Sequence, residues 1–132
     1  MRITADTNIL VRAITGDDPA QAAIARKTLA EAELVALPMP ALCELVWVLA
    51  QGYGASAAEI AAAVRLLVDS ENVAVDRPAA EAGLALLAAG GDFADAVIAH
   101  GGRWLGADVF LSFDKKAVKL LQALGENARL PG

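Results

Sequence analysis

Four acidic side chains occupy positions from which they could form one reactive site: Asp6, Glu44, Asp95 and Asp114. Carboxylates that converge on one point repel one another, and they remain ionised together only if a cation neutralises them. Mg²⁺ and Mn²⁺ suit this role because both prefer carboxylate and water oxygens and keep open positions for phosphate. An ion of this kind activates water and stabilises an in-line phosphoryl displacement. The four acids therefore point to metal-assisted cleavage of a phosphate ester.

The composition removes several other chemistries. His100 is the only histidine, which excludes acid–base cleavage of RNA by a pair of histidines within one chain. None of the three serines lies in a G-x-S-x-G elbow, and there is no G-x-x-x-x-G-K-[ST] phosphate loop. Cys43 is the only cysteine, so an internal disulfide or zinc cluster is excluded. Asp and Glu are the abundant reactive groups, 16 against 11 Lys and Arg.

The length and hydrophobic content fit one globular domain spanning residues 1–132. Hydrophobic residues make up 57% of the chain and charged residues 20%, which excludes intrinsic disorder. Charges or prolines interrupt every apolar run before it reaches the length of a membrane span, and the first residues do not resemble a signal peptide. We therefore expect a soluble cytoplasmic protein.

The charge is unevenly distributed along the chain. Its formal net charge is −5, but residues 101–132 carry five basic and three acidic side chains. A basic edge there could hold a phosphate backbone, although the whole chain is acidic. The residues that we assign to substrate binding are Arg103, Lys115 and Lys116.

Strand and helix patterns alternate along the sequence. Short apolar runs predict strands at 2–5, 34–37, 73–75 and 109–113, and a fifth strand is predicted near 128–130. Segments with helical spacing separate them. The order predicts an α/β fold with a short central parallel sheet of four to five strands and helices on both faces.

This architecture would bring the acids together. Asp6 directly follows the first predicted strand and Asp114 the fourth, and ligands of parallel sheets bind beyond the carboxyl ends of the strands. Asp95 falls in the first turn of a helix that begins after Asp92. Glu44 is a single charge in an otherwise apolar helix, where stability does not require one. Convergence of the four acids at one edge is therefore expected.

The motifs around these acids resemble those of PIN-domain nucleases. The opening Asp-Thr-Asn-Ile-Leu at 6–10 resembles their first motif, and the helix that contains Glu44 resembles their second acidic position. The segments at 92–99 and 112–115 resemble the third and fourth blocks. The four blocks occur in this order over about residues 1–125. Because the chain is short and shows no second domain, the resemblance is greatest to the VapC toxins of type II toxin–antitoxin systems.

The resemblance implies a three-layer PIN-like fold and a Mg²⁺-dependent endoribonuclease, with Mn²⁺ able to substitute. It also implies a homodimer that is silenced by a cognate VapB-like antitoxin. The four acids would hold the metal and orient the attacking water, with Asp92 either joining the site or capping its helix. The supporting polar residues would be Asn8, Asp92 and Ser112.

A structural role for the same acids competes with the catalytic one. Asp6, Asp92 and Asp114 each precede a predicted helix, where a capping Asp contributes about 1 kcal/mol. Asp95 could complement the dipole of its helix. Capping and metal binding are compatible, so the two interpretations do not exclude each other.

A dinucleotide-binding module is the main alternative fold. If residues 45–49 formed a strand, Gly52 and Gly54 would belong to a G-x-G-x-x-A loop, and Asp76 would supply a ribose-binding acid. Pro40 disfavours this interpretation because it is typical of a helix start. The chain after Asp76 is also short for completing such a fold.

Two further alternatives concern function. A phosphate-accepting receiver or phosphatase domain could use Asp6, but Asn8 stands where such phosphatases have a second Asp, and Asp17 and Asp18 lie a whole helix away. A housekeeping PIN ribonuclease without an antitoxin would carry the same motifs as a toxin. A neighbouring gene for a small DNA-binding protein would distinguish the toxin from the housekeeping enzyme.

Overall fold

A computed structural model describes all residues from Met1 to Gly132. Seven helices and five strands alternate along the chain, which confirms the α/β class. The chain forms two compact units, Met1–Asp76 and Arg77–Gly132, which are described separately. None of the helices combines the length and the apolar character needed to cross a membrane.

The first unit contains a parallel sheet with the strand order β1-β2-β3. Ile3 pairs with Val35, and Ala36 pairs with Ala74 on the other side. Four helices accompany these strands. The elements are β1 (Arg2–Thr4), α1 (Thr7–Thr15), α2 (Pro19–Glu31), β2 (Leu34–Leu37), α3 (Met39–Tyr53), α4 (Ala57–Val68) and β3 (Val73–Val75).

The helix starts of this unit agree with the signals in the sequence. Asp18 caps α2, with Pro19 at the first helical position. Ser56 and Glu59 form the reciprocal capping box at the start of α4: Glu59 N–H donates to Ser56 Oγ at 3.1 Å, and Ser56 N–H donates to Glu59 Oε1 at 2.9 Å. These local hydrogen bonds fix where α2 and α4 begin.

Helix α3 excludes the dinucleotide-binding alternative. Residues 45–49 are helical rather than extended, and Gly52 lies within the same helix. Gly54 ends the helix in a left-handed conformation with φ of 63°. Leu42 and Leu45 are fully buried, so α3 supplies core side chains at helical spacing. The strand and glycine loop needed to cradle a pyrophosphate are absent, and the proposed roles of Gly52, Gly54 and Asp76 were wrong.

The second unit contains the remaining helices and one parallel strand pair. Phe110 pairs with Ala128 and Leu111 with Arg129, so the predicted tail strand is confirmed. The elements are α5 (Arg77–Ala88), α6 (Phe93–Trp104), β4 (Phe110–Leu111), α7 (Lys115–Ala123) and β5 (Ala128–Arg129).

The distribution of the strands differs from the predicted single sheet. All five predicted strands form and pair in parallel, but they hydrogen-bond in one set of three and one set of two. The fourth strand, predicted at 109–113, contains only Phe110 and Leu111. Ser112 follows the strand, and its N–H still donates to Arg129 O at 3.3 Å. Its hydroxyl accepts a hydrogen bond from Asp114 N–H at 3.0 Å, in the turn that leads to α7.

Helices α5 and α6 pack closely at a glycine. Phe93 is fully buried at the start of α6, and Gly83 of α5 faces its ring. A Cβ atom at position 83 would lie 2.5–2.7 Å from three ring carbons of Phe93, well inside van der Waals contact. Gly83 therefore allows the aromatic ring at the helix contact.

We expect Gly83→Ala to destabilise the protein by about 1–3 kcal/mol, because overpacking at Phe93 outweighs the better helix propensity of alanine. Gly101→Ala in α6 is the matched control, since a Cβ there meets no atom within 4 Å. It should be neutral or stabilising by up to about 1 kcal/mol. Urea unfolding of both variants provides the measurement, and equal midpoints would contradict the proposed close contact.

Candidate active site

Asp6 is placed by the end of β1 and the start of α1. Ala5 is buried, and its N–H donates to Ala36 O at 3.0 Å, which anchors the chain beside β2. Asp6 then caps α1, with Oδ1 accepting from Thr7 N–H at 2.8 Å. Its Oδ2 has no hydrogen-bond partner. The predicted cap is therefore real, and one carboxylate oxygen is left for a ligand.

Glu44 shares a cavity with Asp6. Glu44 is exposed on α3 beside buried Leu45, and its side chain makes no hydrogen bond or salt bridge. A cavity of about 350 Å³ is lined by Asp6, Asn8 and Glu44, so the structure gathers three of the predicted site residues in the first unit. No stabilising contact accounts for the charge of Glu44.

Asp92 and Asp95 mark the start of α6 in the second unit. Asp92 caps the helix, with Oδ1 accepting from Ala94 N–H at 3.1 Å. Asp95 is half-buried, and its backbone N–H donates to Asp92 O at 3.1 Å, but its carboxylate makes no hydrogen bond. Burial raises the pKa of Asp95, and the negative charges of Asp92 and then Asp114 raise it further. Asp92 and Asp114 therefore both lie within electrostatic reach of Asp95.

Asp114 combines a cap with an exposed carboxylate. Its Oδ1 accepts from Ala117 N–H at 3.0 Å at the start of α7, while Oδ2 has no partner. The hydroxyl of Ser112 accepts from the backbone N–H of Asp114. Ser112 thus shapes the turn that presents Asp114, and its supporting role in the site stays a prediction.

The predicted basic residues differ in their surroundings. Lys115 and Lys116 are exposed at the start of α7 and make no ion pair. Arg103 forms a salt bridge with Glu126, with Nη1 3.2 Å from Oε2. Phe113, adjacent to Asp114, is 86% exposed. The two lysines therefore remain open to a ligand, whereas Arg103 already has an acidic partner.

The sequence did not predict that Arg12 and Tyr53 also line the cavity of Asp6 and Glu44. Arg12 lies four residues after Asn8, a spacing that places both on one face of a helix and could have indicated it. Tyr53 lies nine residues after Glu44, at the end of α3, and its position carries no comparable signal.

The donor chemistry of these acids suits a hard divalent cation. Asp6 and Glu44 offer carboxylate oxygens in the first unit, and Asp95 and Asp114 offer them in the second. No three side chains of Asp, Glu, His or Cys are grouped so that they could hold a metal ion. The donors therefore fit the expected ion in type and in charge, without forming a closed cluster.

The chain belongs to the PIN domain family, whose model matches residues 3–121. The α/β order with parallel strands is consistent with the three-layer fold of this family. PIN domains are generally nucleases that act on nucleic acids with divalent metal ions. A comparison with curated proteins found no match, and a comparison with solved structures also found none.

Proposed function

We propose that the protein is a Mg²⁺-dependent endoribonuclease, with Asp6, Glu44, Asp95 and Asp114 as its catalytic and metal-binding residues. The supporting observation is the unused bonding capacity of these four acids. In Asp6 and in Asp114, one carboxylate oxygen accepts a capping hydrogen bond and the other has no hydrogen-bond partner. The side chains of Glu44 and Asp95 make no hydrogen bond. Within a PIN domain, ligand binding is the function that this pattern fits best.

Each residue has a defined part in this proposal. When bound, the divalent ion activates water and neutralises charge on the phosphate that is attacked. The carboxylates of Asp6, Glu44, Asp95 and Asp114 would supply oxygen ligands to such an ion and accept hydrogen bonds from water. Asn8 provides an uncharged polar group in the cavity of Asp6, and Ser112 holds the turn before Asp114. Asp92 starts α6 and adds negative charge beside Asp95.

The basic residues of the second unit are proposed to contact the RNA. Lys115 and Lys116 are exposed and lack acidic partners, so phosphate would not have to displace an ion pair. They follow Asp114 directly in the chain, which keeps their charges near a proposed catalytic carboxylate. Arg103 would have to exchange Glu126 for phosphate, and its contribution should be smaller.

The biological role that we propose is the toxin of a VapBC-type pair. Its support is the order of the four motifs, which resemble those of VapC toxins. The proposal includes a homodimer and a cognate antitoxin that blocks the site. It is tested by expressing the protein with and without the product of the adjacent gene. Growth arrest relieved by a small DNA-binding neighbour supports the toxin, and a housekeeping ribonuclease would show neither effect.

The enzymatic proposal predicts cleavage that depends on metal and on Glu44. Purified protein should cut structured RNA in Mg²⁺, stop in EDTA, and recover when Mg²⁺ or Mn²⁺ is added back. Glu44→Gln should lower the cleavage rate at least about 100-fold, because it removes a charged oxygen ligand. Its melting temperature should remain unchanged, since Glu44 is exposed and makes no polar contact.

Glu31→Gln provides a control that removes the same charge from the same unit. Glu31 is exposed at the end of α2 and does not line the cavity of Asp6. The Glu31→Gln variant should cleave RNA at the wild-type rate. Full activity of the Glu44 variant, or cleavage that persists in EDTA, would refute the proposed site.

A further inference from the structure

Arg12 is the only positively charged residue that lines the cavity containing Asp6 and Glu44. Asn8 in the first turn of α1 and Arg12 in the last turn share one face of the helix, so α1 presents an amide and a guanidinium to the same cavity. Two carboxylates there would repel an RNA phosphate. The guanidinium is therefore the group in this cavity that can attract one.

A polar network holds Arg12 by its side chain. Nη1 donates to both carboxylate oxygens of Asp17, at 2.9 and 3.2 Å, and Nε donates to Gln21 Oε1 at 2.7 Å. Nη2 has no hydrogen-bond partner. The network thus uses Nε and Nη1 and leaves Nη2 open.

Tyr53 and Thr15 complete the network around Asp17. Tyr53 Oη donates to Asp17 Oδ2 at 2.6 Å, and Thr15 Oγ1 donates to Oδ1 at 3.0 Å. The pKa of Asp17 lies below its ordinary value, chiefly because of the hydrogen bond from Tyr53. The hydrogen bond from Thr15 and the positive charge of Arg12 lower it further. Asp17 therefore stays ionised at neutral pH, and it raises the pKa of Arg12 in turn.

A loop clamp explains only part of this arrangement. The Arg12–Asp17 bridge closes the turn after α1, where Gly16 adopts a left-handed conformation. A clamp of that kind does not require Tyr53, which is 36 residues further along and lines the cavity itself. The link from Tyr53 through Asp17 to Arg12 instead fixes a guanidinium beside the acidic pair.

We propose that Arg12 binds a phosphate of the RNA backbone beside the one that is cleaved, with Asp17 and Tyr53 as positioning residues. This inference rests on the proposed ribonuclease function. Arginine suits the role because its planar guanidinium can bond Asp17 and a phosphate at the same time. The contact is to the backbone and carries no base preference.

The test compares Arg12→Gln with Lys27→Gln, which removes one charge from an exposed position of α2 outside the cavity. Steady-state cleavage is measured in Mg²⁺. Binding of a fluorescein-labelled single-stranded RNA of mixed sequence is measured in EDTA over a series of NaCl concentrations. Arg12→Gln should raise KM about tenfold and leave kcat nearly unchanged. The slope of log affinity against log salt should become shallower by about 0.7, as expected for one lost phosphate contact.

Two conservative variants separate phosphate binding from a structural role. Arg12→Lys keeps the charge and should retain the wild-type salt slope with weaker binding. Tyr53→Phe removes the hydrogen bond to Asp17, and it should raise KM about threefold without changing the slope. These variants also provide the test if Arg12→Gln fails to fold. The proposal would be overturned if Tyr53→Phe left KM unaltered. It would also be overturned if Arg12→Lys made the salt dependence of binding shallower.

The two proposals fail in different ways. If the wild type binds RNA but does not cleave it, the nuclease proposal fails and the salt slope alone decides the role of Arg12. If KM and slope are unchanged in Arg12→Gln, or if Lys27→Gln changes them equally, the phosphate contact is refuted. A wild type that neither binds nor cleaves RNA refutes both.

Discussion

Asp95→Asn should stabilise the metal-free protein and abolish RNA cleavage. The side chain of Asp95 is half-buried and makes no hydrogen bond. Its burial and the negative charges of Asp92 and Asp114 disfavour the ionised carboxylate. The substitution removes this repulsion from the folded state and keeps the shape of the side chain. Solvent screens a half-buried group, so we expect a melting temperature only about 1–3 °C higher in EDTA. Cleavage should fall at least about 100-fold.

Mg²⁺ provides a second measurement that does not depend on activity. A ligand that binds only the folded state raises its stability, and a variant with fewer ligands gains less. The melting temperature of the wild type should therefore rise more on addition of Mg²⁺ than that of Asp95→Asn. The advantage of the variant in EDTA should shrink or reverse in saturating metal.

Asp108→Asn is the matched control for this prediction. Asp108 is an exposed carboxylate in the same unit, and it is not among the charges that raise the pKa of Asp95. Its removal should leave both the melting temperature and the cleavage rate unchanged. A lower melting temperature for Asp95→Asn in EDTA would show that Asp95 stabilises the fold. Retained cleavage would exclude it from the site.

The local parts of the fold could be predicted because their hydrogen bonds lie within a few residues. Asp18 and Pro19 gave the start of α2, and the Ser56–Glu59 box gave the start of α4. The same local logic identified Asp6, Asp92 and Asp114 as caps, and all three caps are confirmed.

Long-range pairing was harder to predict. The sequence pattern identified the strands but gave no information on which strands pair with each other. β4 and β5, of two residues each, pair with one another and not with β1–β3. Tyr53 shows the same limit, because its hydrogen bond to Asp17 spans 36 residues. The apolar run at 45–49 fitted either a strand or a buried helix, as such runs do. The buried residues of α3, Leu42, Leu45, Val46 and Leu49, recur at helical spacing along one face.

Paired substitutions at Asp6 and Asp114 should separate capping from catalysis. Asn caps a helix about as well as Asp but lacks the charge, whereas Ala lacks both. Both Asn and Ala variants should therefore lose cleavage at least about 100-fold. Only the Ala variants should lose stability, by about 1 kcal/mol each, because they alone lose the bonds to Thr7 N–H and Ala117 N–H.

Asp18 provides the control because it caps α2 by the same kind of bond, from Gln21 N–H at 3.1 Å, and lies outside the cavity of Asp6. Asp18→Ala should lose about 1 kcal/mol, and neither it nor Asp18→Asn should lose cleavage. Urea unfolding and RNA cleavage in Mg²⁺ measure the two effects independently. If Asp6→Asn and Asp114→Asn cut RNA at the wild-type rate, both residues are caps only, because a catalytic carboxylate would not tolerate the loss of its charge.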